Sequence, residues 1–278
     1  MKIAYQGIPG SYSESCAMEN YPNCETISCK TFDECFEKAN KDSSIRSIIP
    51  ESNKTTGNIG VEYLIFKYRL NIYAEHFFPI QHNLLCLSGA KITDVKEVYS
   101  HAQALSQSSS FIKKNNLNEN VRADTAGSAK YVSESGDKSK GAIASKLSSK
   151  IYNLEILKSN IEDEPGNVTR FFVMGKDSQH PEFLKNKKYI TSCIFKLKSI
   201  PSALYKALGS FSGYGINLCK LESFSVKNTF DQVNFYIDIE GHIEDPSLQK
   251  ALEELGFHTQ KLDVLGVYEA HSFRFKNK

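Results

Sequence analysis

A chain of 278 residues exceeds one small domain and, at roughly 150 residues per domain, predicts about two. Its 34 basic and 32 acidic residues leave a formal net charge of +2, which excludes a sustained positive field for gripping a nucleic-acid backbone. Hydrophobic content of 40% with 24% charged residues is that of an ordered globular chain, and no stretch approaches the ~20 apolar residues of a membrane-spanning helix.

In chain order, Lys2–Gln6 alternates as a strand and lacks the basic-then-apolar pattern of a signal peptide, so a cytoplasmic protein is expected. Residues 13–21 read as a helix, 45–49 as a buried strand and 59–68 as a helix again. Residues 97–99 form a short strand leading into a helix from His101, and 141–144 lead into another through Lys150. This alternation, up to about residue 175, predicts an α/β fold with a largely parallel sheet. The polar run 176–188, which carries Pro181, reads as a linker. Beyond it the order is strand 189–196, helix 201–211, strand 217–226, strand 232–240, helix 246–255 and strand 263–269. That is the ferredoxin-like βαββαβ arrangement, and such a small sheet often pairs with a copy of itself, predicting a homo-oligomer. The seven cysteines form an odd set with no C-x-x-C pair, so neither a disulfide framework nor a zinc site is expected.

Four strand-to-helix junctions carry small polar residues, and helix starts there offer free N–H groups and a positive dipole end that suit carboxylates. The first is GIPGSYSE at 7–14, where Ser11 and Glu14 fit a capping box and the glycines let a ligand approach the backbone. The second is PESNKTTG at 50–57, the third SHAQALSQ at 100–107 with Ser100 and Gln103 as a further capping box, and the fourth DTAGS at 124–128. Ligands of open α/β sheets gather at such loops. Taken singly, each reads as a structural cap before it reads as a ligand loop. His101 offers a general base or a surface imidazole. A sharper signal is Asn167-Val-Thr169-Arg170-Phe171, which sets a hydroxyl and a guanidinium onto an apolar strand, although Arg170 equally suits an internal ion pair.

Read together, these junctions resemble the prephenate/arogenate dehydratase family over essentially the whole chain. N-V-T-R-F at 167–171 is similar to the family's N-x-T-R-F signature, supported by GIPGSYSE, by Pro50, Asn53 and Gly57 in register, by SHAQALSQ and by DTAGSA. The tail is similar to the phenylalanine-sensing ACT domain, with IPSALYKAL and GINLCKLES at matching places. The resemblance implies a catalytic part over residues 1–178, made of two α/β lobes like the type II periplasmic binding proteins, a linker at 179–188 and an ACT domain at 189–278. It implies the monofunctional form, since no chorismate mutase segment precedes Met1, and a plastid location if a transit peptide has been removed.

The implied reaction is loss of the ring carboxylate and C4 hydroxyl of prephenate to give phenylpyruvate in phenylalanine biosynthesis, with neither cofactor nor metal. Carried over, Thr169 contacts the leaving hydroxyl, Asn53 and Gln107 donate to substrate oxygens, and Ser11, Ser100, Thr125, Arg170 and Phe171 contact the substrate. Phenylalanine as effector would meet Ser202, Ala203, Leu204, Asn217, Leu218, Glu222 and Ser223, where tails of a homodimer or homotetramer join. The chain departs from the family pattern at Ser52 and Lys54, and at Ser202 and Phe224 in place of a glycine and an arginine. Lys54 either adds a positive charge toward the substrate or points into solvent. Alternatives are an arogenate dehydratase, an amino-acid-sensing protein that has lost the cleft chemistry, and a solute-binding protein.

Overall fold

The computed structural model describes residues 1–177, 179–226 and 233–275. Ser178, at the expected domain boundary, and Gln232, the expected first residue of a strand, lie outside the described residues.

The chain opens with β1 (Lys2–Gln6), α1 (Tyr12–Asn20), β2 (Glu25–Cys29), α2 (Phe32–Lys41), β3 (Ile45–Asn53), β4 (Gly57–Asn58), α3 (Glu62–Tyr68) and β5 (Asn71–Pro79). It then builds β6 (Asn83–Cys86), β7 (Glu97–Ser100), α4 (Ala102–Ser106), α5 (Ser109–Lys114), β8 (Asn118–Val121), α6 (Thr125–Ser135), β9 (Lys140–Ala144), α7 (Lys146–Ile151) and β10 (Glu155–Lys158). β11 (Val168–Gly175) returns to the first sheet, whose order is β2-β1-β3-β11-β5 with β4 on β3, while the second sheet runs β10-β6-β9-β7-β8.

The second sheet is mixed rather than largely parallel: β7 pairs in parallel with β8 and β9, but β6 pairs antiparallel with both β9 and β10. Strand β6 is four residues, NLLC, buried on both faces, and its run is too short and too apolar for periodicity to reveal it. Leu84 and Cys86 face one core with Val98, Leu105 and Ile112, whereas Leu85 faces another with Ala129 and Val132.

The third sheet comprises β12 (Tyr189–Leu197), α8 (Ala203–Ser212), β13 (Leu218–Ser225), β14 (Val233–Glu240), α9 (Pro246–His258) and β15 (Thr259–Glu269), in the order β13-β14-β12-β15 with antiparallel pairs, the ferredoxin-like arrangement. Cys193 and Phe195, two apart on β12, share a core with Ile237 and Ile239 of β14, and α9 turns Leu248, Ala251 and Leu255 onto it.

By density of backbone contacts the chain forms two compact units, 1–35 with 48–59 and 77–171, and 36–47 with 60–76 and 172–275 among the described residues. Within the second unit, Glu62 of α3 bonds to Lys220 of β13 at 3.2 Å, Arg69 just after α3 to Asp263 of β15 at 2.6 Å, and Glu75 of β5 to Arg274 in the 3-10 turn at 272–275 at 2.6 Å. Phe224 of β13 stacks edge-on against Phe66 of α3 with ring centroids 6.0 Å apart.

Candidate active site

A cavity of about 970 Å³ opens within the first unit. Three helices of eight or more residues start on its wall, through Ser11, Tyr12 and Ser13 of α1, Phe32 and Glu34 of α2, and Asp124 and Thr125 of α6. Each start is fixed by its sequence. Ser11 Oγ accepts from the Glu14 N–H at 3.3 Å, Thr31 Oγ1 accepts from the Glu34 N–H at 3.1 Å, and Asp124 Oδ1 accepts from the Gly127 N–H at 2.6 Å. These N-terminal turns present positive dipole ends to the cavity, offset in part by the Glu34 and Asp124 carboxylates and joined by Lys30 on the same lining.

The same cavity takes Asn53 from β3, Thr169 and Phe171 from β11, and Asn167 from the residue before β11. Asn53 is 7% exposed, and its carboxamide is spent inside the protein. Oδ1 accepts from the backbone N–H of Thr55 and Thr56 at 3.0 and 3.1 Å, while Nδ2 donates to Asn167 Oδ1 and Thr169 Oγ1, both at 2.8 Å. The Thr169 oxygen therefore accepts from Asn53, and its own hydroxyl proton remains to be given to another group. Asn53 lines the cavity, but its geometry is that of a group that orients Thr169 rather than one with N–H to spare for a ligand.

Gln107, at the end of α4, also lines the cavity. Its Oε1 lies 2.9 Å from His82 Nε2 and accepts from Asn167 Nδ2 at 3.5 Å. His82 is 2% exposed, and burial pulls its imidazole below the ordinary range, leaving the ring neutral at pH 7. Its other nitrogen lies 2.8 Å from the Tyr12 hydroxyl.

Of the residues expected from sequence, Thr169, Asn53, Gln107, Ser11, Thr125 and Phe171 come together on this cavity. Two do not. Ser100 is fully buried and donates to the Ile143 carbonyl at 2.6 Å, and the expected Ser100–Gln103 cap is replaced by His101, whose Nδ1 accepts from the Gln103 N–H at 3.3 Å. Arg170 points away from the cavity because side chains alternate along β11, and its guanidinium pairs with buried Glu51 at 3.2 Å. The internal ion pair is thus the reading of Arg170 that holds. Ser52, beside it, donates to the same Glu51 carboxylate at 2.8 Å. Lys54 is exposed and lies off the cavity wall.

Gly10 serves packing rather than ligand approach: its φ is +93°, a Cβ there would lie 2.6 Å from Ser148 Oγ, and its carbonyl accepts from Ser145 and Ser148. Sequence reasoning missed Tyr12, His82 and Lys30, all on the cavity. Tyr12 sits inside a motif singled out for other residues, and His82 stands in an apolar stretch with nothing nearby in sequence to mark it.

The expected effector residues fall on two elements. Ser202 precedes α8 in the left-handed region at φ +61°, with Ala203 and Leu204 opening the helix. Asn217 and Leu218 stand at the start of β13, and Glu222 and Ser223 pair with Tyr236 and Phe235 in its middle. Among the described residues no group of three or more His, Cys, Asp or Glu side chains is arranged to hold a metal ion.

A mixed α/β protein with a cavity ringed by helix N-termini is the class that fold and site define. A family model described as Prephenate dehydratase matches residues 3–179. A Komagataeibacter europaeus protein described as a bifunctional N-acyl-homoserine lactone acylase/prephenate dehydratase is 35% identical over 277 residues, covering 99% of this chain and 98% of its own. Arogenate dehydratase 2 of Petunia hybrida is 37% identical over 287 residues, covering 98% of this chain and 72% of that one. The crystal structure of prephenate dehydratase from Arthrobacter aurescens in complex with L-Phe shares the fold, with a TM-score of 0.86 at 24% identity over 97% of this chain and 90% of that one. The chain belongs to the prephenate dehydratase family.

Proposed function

We propose that the cavity binds prephenate, or its amino counterpart arogenate, and expels the ring carboxylate as carbon dioxide and the C4 hydroxyl as water. Prephenate gives phenylpyruvate and arogenate gives phenylalanine. As the carboxylate leaves, its bonding electrons enter the ring and the C4 oxygen departs with a pair of electrons and takes up a proton that ultimately comes from solvent, so a hydrogen bond to that oxygen matters most in the transition state. The observation that carries this reading is the Thr169 hydroxyl, which accepts from Asn53 at 2.8 Å and so has its proton to give. The N-terminal turns of α1, α2 and α6 favour the substrate carboxylates, and Ser11, Thr125 and Phe171 line the same cavity. Gln107 is a further hydrogen-bonding contact.

We assign residues 1–178 to the catalytic part, 179–188 to a linker and 189–278 to an ACT-type regulatory domain that takes phenylalanine in a homo-oligomer. The ferredoxin-like order of the third sheet supports this. A cytoplasmic setting fits cysteines that form no disulfide among the described residues.

Purified protein incubated separately with prephenate, arogenate and an N-acyl-homoserine lactone tests the activity. Phenylpyruvate or phenylalanine should form, and release of fatty acid from the lactone alone would contradict the reading. Calorimetric titration with phenylalanine tests the effector assignment, and absence of binding would remove it.

A further inference from the structure

Gln107 is held by few contacts for a group that has to meet a substrate. Its Nε2 is buried without a hydrogen-bond partner among the described residues. Its Oε1 has two, and the one to His82 at 2.9 Å is much shorter than the one from Asn167 at 3.5 Å. His82 is in turn fixed from its far side by the Tyr12 hydroxyl at 2.8 Å and by an edge-on contact of the two rings, centroids 5.8 Å apart. Tyr12 has one hydroxyl proton, which burial with the nearby Glu162 carboxylate keeps on its oxygen; given to His82 Nδ1, it leaves Nε2 carrying the ring N–H that Gln107 Oε1 accepts, and the Gln81 carbonyl, 2.9 Å from the same hydroxyl, is the competing acceptor. The backbone N–H of His82 donates to Glu162 at 2.9 Å, which fixes the peptide that carries the ring.

We propose that His82 is a positioning residue, holding the Gln107 carboxamide at the angle where its free N–H meets a substrate oxygen. This rests on reading the cavity as the dehydratase site. The ring spans two walls: Tyr12 belongs to the first turn of α1, and Gln107 closes α4. A neutral imidazole suits the task because it has one donor and one acceptor and adds no charge beside a dianionic substrate. Removing it leaves the amide with the single long contact from Asn167, free to turn about its last torsion. An orienting group displaced by about 1 Å costs on the order of 10²-fold in rate.

Two isosteric replacements separate positioning from general support. A glutamine at 82 places its amide near the position of Nε2 and reaches Gln107, whereas an asparagine places it near Nδ1 and reaches only Tyr12. We expect His82→Asn and His82→Leu to lose roughly 10- to 100-fold in kcat with KM within about threefold, and His82→Gln to keep most of the rate. Equal losses in His82→Asn and His82→Gln that follow their drop in thermal midpoint, or full activity in His82→Leu, would overturn the proposal. A readout free of substrate is the long-range ¹H–¹⁵N spectrum of the resting protein: the His82 Nε2 signal should move in Gln107→Ala, and an unmoved signal would also overturn it. Wild-type protein inert toward both substrates would instead overturn the dehydratase reading, and the spectrum distinguishes that failure from a missing His82–Gln107 bond.

Discussion

Arg170 and Glu51 are side chains 6% and 1% exposed, so their 3.2 Å ion pair works in a medium where an unpaired charge is costly. Arg170→Met should lower stability by about 3–5 kcal/mol by stranding the Glu51 carboxylate, and Arg170→Met with Glu51→Gln should recover a large part of that in chemical denaturation. Additive losses would show that the two do not act as a pair. The pair also explains why a guanidinium next to Thr169 in sequence need not touch substrate: on a strand, neighbours face opposite sides. That much was available from the sequence, but the carboxylate waiting 119 positions away was not. His76 gives a second prediction. Burial, reinforced by neighbouring His271, lowers its pKa from 6.5 to about 4, so between these values the folded state binds fewer protons than the unfolded one. Its contribution is complete above pH 6.5 and is lost as pH falls toward 4, and His76→Gln should flatten that stretch of the stability curve. An unchanged slope in the variant would contradict the assignment.

Elements with their own sequence period or cap were legible, and those defined by a partner were not. α1, α6 and the strands and helices from residue 189 onward announce themselves through caps, spacing and apolar faces, and the third sheet forms in the predicted order. β6 and β10, four residues each, exist because they pair antiparallel with each other, and nothing local encodes that pairing. The expected cap at Ser100 failed for a similar reason, since its hydroxyl finds Ile143 of β9 before it finds a helix N–H. Ser202 shows an element under strain that the sequence did signal. The resemblance to the family implies a glycine there, and this chain carries a serine at φ +61° with no capping bond from its side chain. Ser202→Gly should raise stability by up to about 1 kcal/mol, less the entropy a glycine adds to the unfolded chain, read as a higher thermal midpoint. A lower midpoint would mean that the serine makes compensating bonds.

For the molecule as a whole, a net charge of +2 and the exposed position of Lys54 leave anion binding to backbone N–H groups, helix dipoles and Lys30 on the cavity wall. Which junctions gather on one cavity was readable from their resemblance to a family, whereas the hydrogen-bond order among Asn53, Asn167, Thr169, Gln107 and His82 needed coordinates. In that order Asn53 orients and Thr169 donates, which is the centre of the account. It is tested by the steady-state kinetics of Thr169→Ala and Thr169→Ser against wild type on prephenate and arogenate. The alanine variant should lose roughly 10² to 10⁴ in kcat with KM changed only a few-fold, because the hydroxyl matters most as the C4 oxygen departs, and the serine variant should keep much of the rate. An alanine variant with wild-type kcat, or one whose whole loss lies in KM, would contradict it.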